Sequence, residues 1–132
     1  MIEIFKTELI RKQATPTELE QLEKDFARYK ETGIPADCFG RDVLYNHVNS
    51  LPSVLSAELK HIHLLPSAHK SVNTTRQFNK TSDNHLVYCN GYYSNEAYLL
   101  IAILAPDAHA QSRKNNVMFK LAQIAENFRE NN

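Results

Sequence analysis

The chain has 132 residues and a mass of 15.1 kDa, and its 42% apolar content is enough to build one hydrophobic core, so a single domain, 1–132, is expected and a second is not. Fifteen basic and fifteen acidic side chains cancel, which argues against a generic nucleic-acid coat; no apolar run approaches the ~20 residues of a membrane span, and no leader pattern opens the chain, so a cytoplasmic protein with no membrane association is expected. The cancellation is uneven, because residues 1–58 hold most of the carboxylates, whereas Lys60 to Lys80 contains four Lys/Arg, three histidines and no acid.

Met1-Ile2-Glu3-Ile4-Phe5-Lys6 alternates weakly and reads as a first strand at a sheet edge. Thr15-Pro16-Thr17-Glu18 is a strong helix start: Thr15 can cap, Pro16 suits the first helical position, and Glu18 can reach back to the cap amide. The helix carries Leu19, Leu22, Phe26 and Tyr29 on one stripe and stops at Gly33-Ile34-Pro35. A second helical piece is expected within Arg41 to Asn49 and a short third one near Pro52 to Glu58. Leu59 to Leu65 returns to period two, which places His61 and His63 on one strand face and Ile62 and Leu64 on the other.

The polar stretch from Pro66 to Asn84, with Lys70, Arg76, Lys80 and Asp83, reads as a long functional loop. Next come a strand at His85-Leu86-Val87-Tyr88-Cys89 and an uncharged strand at Tyr98 to Ala105, the latter expected in the middle of the sheet with both faces covered. Pro106 stops the pairing and leaves Asp107 and His109 on a firmly anchored loop. Val117, Leu121, Ile124, Ala125 and Phe128 recur at helical spacing, giving a C-terminal helix that frays after Arg129. The order predicts an α+β domain, a small, mainly antiparallel sheet with helices packed on one face. Cys38 and Cys89 have no metal or redox spacing, so both thiols are expected to be reduced.

Phe39-Gly40-Arg41-Asp42, Leu44-Tyr45, His61-Ile62-His63-Leu64, Arg76-Gln77-Phe78, His85-Leu86-Val87-Tyr88-Cys89, Leu99 to Leu104 and Asn115-Asn116 together resemble the YafO toxins of bacterial toxin–antitoxin modules, in the same order over nearly the whole chain. More distantly, Leu86-Val87-Tyr88 ahead of a long apolar strand is similar to the RelE and YoeB toxins, which commonly carry arginine where this chain has His85. The resemblance implies a RelE-like fold and a ribosome-dependent endoribonuclease, an mRNA interferase acting on translated mRNA. Its partners would be the ribosome, mRNA and a cognate antitoxin.

Metal-free RNA cleavage needs a base for the ribose 2′-hydroxyl, cations for the charge on phosphate, and an acid for the departing 5′-oxygen. Histidine serves as base or acid because its reference pKa is about 6.5. His109, at the strand exit, is the leading candidate, its alternative being a turn cap acting through Asp107. His85 follows, with Asp83 placed to orient its ring. His61 and His63 form an RNA-facing pair, half of a metal site, or a solvated face. Arg76 and Lys80, extended by Arg113 and Lys114, are the candidate phosphate contacts. Tyr88 alternates into the core, while Tyr92 and Tyr93 either stack on bases or close a hairpin. No cofactor and no metal set are expected. Two rival readings are a metal-dependent hydrolase built on His61 and His63, and a non-enzymatic toxin that blocks a protein target.

Overall fold

In a computed structural model, which describes residues 1–47, 49–66 and 76–132, five strands form one sheet. They are β1 (Glu3–Lys6), β2 (Phe39–Leu44), β3 (Lys60–Leu64), β4 (His85–Asn90) and β5 (Ala97–Leu104), in spatial order β1-β5-β4-β3-β2. Among the described residues only β1 runs parallel to its neighbour, and every other pair is antiparallel. Among the described residues the helices are α1 (Glu8–Gln13), α2 (Pro16–Thr32), α3 (Pro52–Ser56), α4 (Ala108–Gln111) and α5 (Asn115–Asn131), with a 3-10 turn at Gln77–Asn79. No helix among the described residues is long and apolar enough to cross a membrane.

Local sequence chemistry explains α2. Thr15 Oγ1 accepts from the Glu18 amide at 3.2 Å, the Glu18 carboxylate accepts from the Thr15 amide at 2.9 Å, and Pro16 opens the first turn. Gly33, at φ 77°, ends the helix in a left-handed conformation that costs a residue without a Cβ little, and its amide closes on Tyr29 O. The stripe of Leu19 and Phe26, flanked by Leu22 and Tyr29, packs on Phe39, Ile62, Leu86, Tyr88 and Leu100.

A second core occupies the opposite face, where Met118, Leu121, Ala122 and Ala125 of α5 cover Leu59, Val87, Cys89, Leu99 and Ile101. Helices therefore lie on both faces of the sheet and not on one, because alternate residues of β4 and β5 are apolar in both directions. The apolar strand β5 is covered on both faces as expected, but it stands second in the sheet and β4 takes the middle. That follows from β1 occupying the edge beside β5, whereas β3 and β2 add to the far side of β4. Helix α5 extends past Arg129 to Asn131 because Arg129 is buried, donating to Glu58 Oε2 at 2.7 Å and to Asn90 O at 2.9 Å.

The expected helix at Arg41 to Asn49 is replaced by strand β2. Asp42 pairs with Ile62 and Val43 with His61, so sheet pairing decided a segment whose helical caps were weak. Gly40 is needed there for a different reason: a Cβ on it would sit 2.2 Å from Lys80 O. This close approach lets Arg41 N donate to Lys80 O at 2.8 Å, while the Gln77 amide donates to Gly40 O and Tyr29 Oη, both at 3.0 Å. Residues 76–80 are thereby fastened along the outer edge of β2. Lys70, which belongs to the same polar stretch, lies outside the described residues.

At the other side of the sheet, β5 outruns β1. Its bulge sets both Ile101 and Ala102 toward the α5 core, and Thr7 Oγ1 donates to Ile101 O at 2.6 Å. Gln13 acts as a two-handed clasp on Ile103, accepting from its amide at 2.7 Å and donating to its carbonyl at 3.0 Å. Side chains thus finish the ladder that β1 leaves incomplete, and the exit of β5 toward Asp107 is fixed.

Candidate functional site

Strand parity puts His61 and His63 on one face of β3, and the antiparallel register sets His63 opposite His85 on β4. The three imidazoles pack together on the face shared with α5, with ring centroids 4.4 Å apart for both His61–His85 and His63–His85. Tyr45, just past β2, stacks on His61 at 3.9 Å and meets His85 Nδ1 through its hydroxyl at 2.8 Å. At the outer end His109 lies 5.3 Å from His85 and 6.0 Å from His63. The result is a column of rings, Tyr45, His61, His85 and His109, running from core to surface with His63 at its flank.

Exposure divides the column. His61, His63 and His85 are 7%, 3% and 2% exposed, which removes the solvated-face reading of the His61/His63 pair. His109 is open, its side chain 60% exposed. Asp83 does not orient His85 as expected; its Oδ1 accepts from both the His109 amide, at 2.9 Å, and His109 Nδ1, at 2.7 Å. The reason is the loop path, since Ala108 N also donates to Asp83 O at 2.9 Å and seats the start of α4 on the residues that precede β4. Asp107, in a left-handed conformation at φ 61°, makes no side-chain cap. The hydrogen bonds from the His109 amide first, and then from its ring, hold the Asp83 carboxyl below the usual carboxylate range. With Nδ1 donating to a carboxylate, His109 presents Nε2 outward, the arrangement that orients a general base.

The inner imidazoles are held neutral. Burial, followed by the neighbouring rings of His85 and His63, pushes His61 down to about 3; burial followed by His63 pushes His85 down to about 4; and burial lowers His63 as well. Arg41 contributes to the lowering of His61 and His63, and its guanidinium rests 4.0 Å over the Phe78 ring while Nε donates to Phe78 O at 2.6 Å. Ser82 brackets His63 Nδ1 with its amide at 2.8 Å and its carbonyl at 2.9 Å, so that nitrogen has a backbone partner in either tautomer. His61 Nδ1 and His85 Nε2 are buried without a partner among the described residues.

These shifts set the pH dependence of stability. In the unfolded chain each imidazole takes a proton near 6.5, whereas in the folded chain His85 resists down to about 4 and His61 to about 3. Between those limits the unfolded state binds more protons, so stability is complete above pH 6.5 and is lost as the pH falls toward 4. Asp83, whose carboxyl is held below the usual range, stays ionised over that window. Urea melts in the presence of chelator should show a flat midpoint above pH 7 and a progressive fall below 6.5. A midpoint unchanged down to pH 4.5 would contradict the buried neutral cluster.

Of the cations chosen from sequence, Arg76 is exposed at the start of the 3-10 turn, and Lys80 ends that turn against β2. Arg113 and Lys114 are exposed on the link between α4 and α5, shortly after His109. Tyr92 and Tyr93 are exposed in the β4–β5 turn, packed edge to face at 5.0 Å. Sequence reasoning missed Tyr45 and Arg41 as site residues. Their signal was present, since the strand that pairs with His61 contains an arginine and is followed directly by an aromatic, but it is legible only once 39–44 is read as a strand.

A family model described as "Toxin YafO, type II toxin-antitoxin system" matches residues 27–130. The chain is also 45% identical over 127 residues, 96% of each chain, to the mRNA interferase toxin YafO of Escherichia coli (strain K12). No solved structure matches.

Proposed function

Because the chain belongs to the YafO family of type II toxins, we propose that it is an mRNA interferase: a ribosome-dependent endoribonuclease that cleaves translated mRNA in the cytoplasm and is neutralised by a cognate antitoxin. The observation that carries this reading is the exposed Asp83–His109 pair at the exit of β5. His109 Nε2 takes the proton of a ribose 2′-hydroxyl, the 2′-oxygen attacks phosphorus, and the bond to the 5′-oxygen breaks. The products are a 2′,3′-cyclic phosphate and a 5′-hydroxyl, whose proton comes from solvent. Asp83 keeps Nδ1 protonated and steadies the imidazolium. Arg41, Arg76, Lys80, Arg113 and Lys114 supply positive charge for the phosphate. His85, His61 and His63 are buried, so they act as positioning residues behind His109.

Dependence on the ribosome follows from charge. A chain with no net charge has little long-range attraction for RNA, so substrate orientation must come from a body that already holds the message. Fixed placement of reactants can lower a barrier by up to roughly 7–11 kcal/mol, enough for one exposed histidine to suffice. Primer extension on one mRNA, with and without ribosomes and with chelator throughout, tests this reading. Cuts are expected only on the translated message and are unaffected by chelator. Equal cutting of naked RNA would overturn the ribosome step, and abolition by chelator with rescue by zinc or manganese would overturn the metal-free one.

A further inference from the structure

We infer that His61, His63 and His85 form a binding site for a borderline divalent transition-metal ion of the Zn²⁺ and Co²⁺ class, taken up by three neutral nitrogen donors. One ring nitrogen from each of the three lies within 4.8 Å of the others. A tetrahedral zinc with bonds of about 2.0–2.1 Å needs ligand nitrogens about 3.4 Å apart, so each ring must move inward by roughly 0.8 Å or less. Strands β3 and β4 fix the mounting points, because His63 and His85 are direct partners across the ladder.

Two independent features point to an ion. Both His61 Nδ1 and His85 Nε2 are buried with no hydrogen-bond partner among the described residues, an unfavourable state that a metal would relieve. The far nitrogens of two rings already have the outer partners that metal-bound histidines use. His85 Nδ1 meets Tyr45 Oη at 2.8 Å, which can accept the ring proton while Nε2 ligates, and His63 Nδ1 lies between the Ser82 carbonyl at 2.9 Å and the Ser82 amide at 2.8 Å. The donor set contains no carboxylate and no thiolate, which selects against magnesium and calcium and in favour of ions that prefer imidazole. The ring of His109 lies 5.3 Å from His85 and 6.0 Å from His63, and water would complete the four-coordinate sphere.

The test uses the full chain, stripped with chelator, and the ion alone, with no RNA; its failure leaves the cleavage reading untouched, and failure of cleavage leaves the site untouched. Titration with Co²⁺ is expected to give one equivalent per chain with the intense visible bands of tetrahedral coordination, and Zn²⁺ should displace it. His63→Ala and His85→Ala should weaken Zn²⁺ binding at least tenfold in competition with a chromophoric chelator, whereas replacement of the exposed His47 by alanine should leave it unchanged. Weak octahedral Co²⁺ bands in the unmutated chain, or no saturable uptake, would overturn the site even if a variant fails to fold. Binding unaltered in folded His63→Ala and His85→Ala would overturn it as well.

Discussion

His109→Ala is expected to lower cleavage of ribosome-bound mRNA by about 10²–10⁴-fold, the usual contribution of a positioned proton-transfer group, with the melting temperature nearly unchanged. The imidazole is exposed, so its removal opens no core cavity. The backbone contact from residue 109 to Asp83 survives the substitution and keeps the start of α4 in place. Single-turnover primer extension at saturating toxin, alongside a ribosome co-sedimentation assay, separates lost chemistry from lost association. Undiminished cutting would remove His109 from the mechanism, and loss of sedimentation together with cutting would reassign it to docking. Asp83→Asn should give a smaller loss, because an amide still reaches Nδ1 but no longer steadies the imidazolium.

The largest stability effect is expected at Phe26. This side chain is fully buried in α2, edge to face with Tyr88 at 5.0 Å and Tyr98 at 5.2 Å, and it supports the sheet on the face opposite the histidines. Phe26→Ala should cost about 3–5 kcal/mol through lost burial and the cavity left behind. For a domain of this size that corresponds to a fall of roughly 10–18 °C in Tm. A scanning calorimetry trace with a loss under 5 °C would mean that the core around Tyr88 collapses to fill the gap.

How much could be read in advance depended on how far apart in sequence each feature was determined. Helix α2 was fully legible because its cap, its stripe and its Gly33 stop are local signals. Strand β3 was legible by its period of two, β4 and β5 by their apolar runs, and parity alone placed His61 beside His63. Strand β2 was not, since its conformation is settled by pairing with β3 and by Gly40 lying against Lys80, neither of which leaves a periodic trace. The same gap hid Tyr45. Asp83 was assigned to His85, its neighbour two residues on, whereas the fold gives it His109, 26 residues away, through a loop whose path no pattern specifies. Both helix layers were legible as helices, but their placement on opposite faces depends on the connections and not on either helix alone.

The pairing of β1 with β5 also sets a clock. Thr7 must find Ile101, 94 residues downstream, before the sheet is complete, and a chain synthesised from its amino end at about 5–20 residues per second waits roughly 5–20 s for that partner to exist. During that interval β1 and α1 have no strand to dock on, and closing so long a loop is a slow step of folding. His109 is made later still, just past β5. The sheet and the exposed imidazole at its rim therefore come into being together and late, so that an unfinished copy of this chain lacks the Asp83–His109 pair.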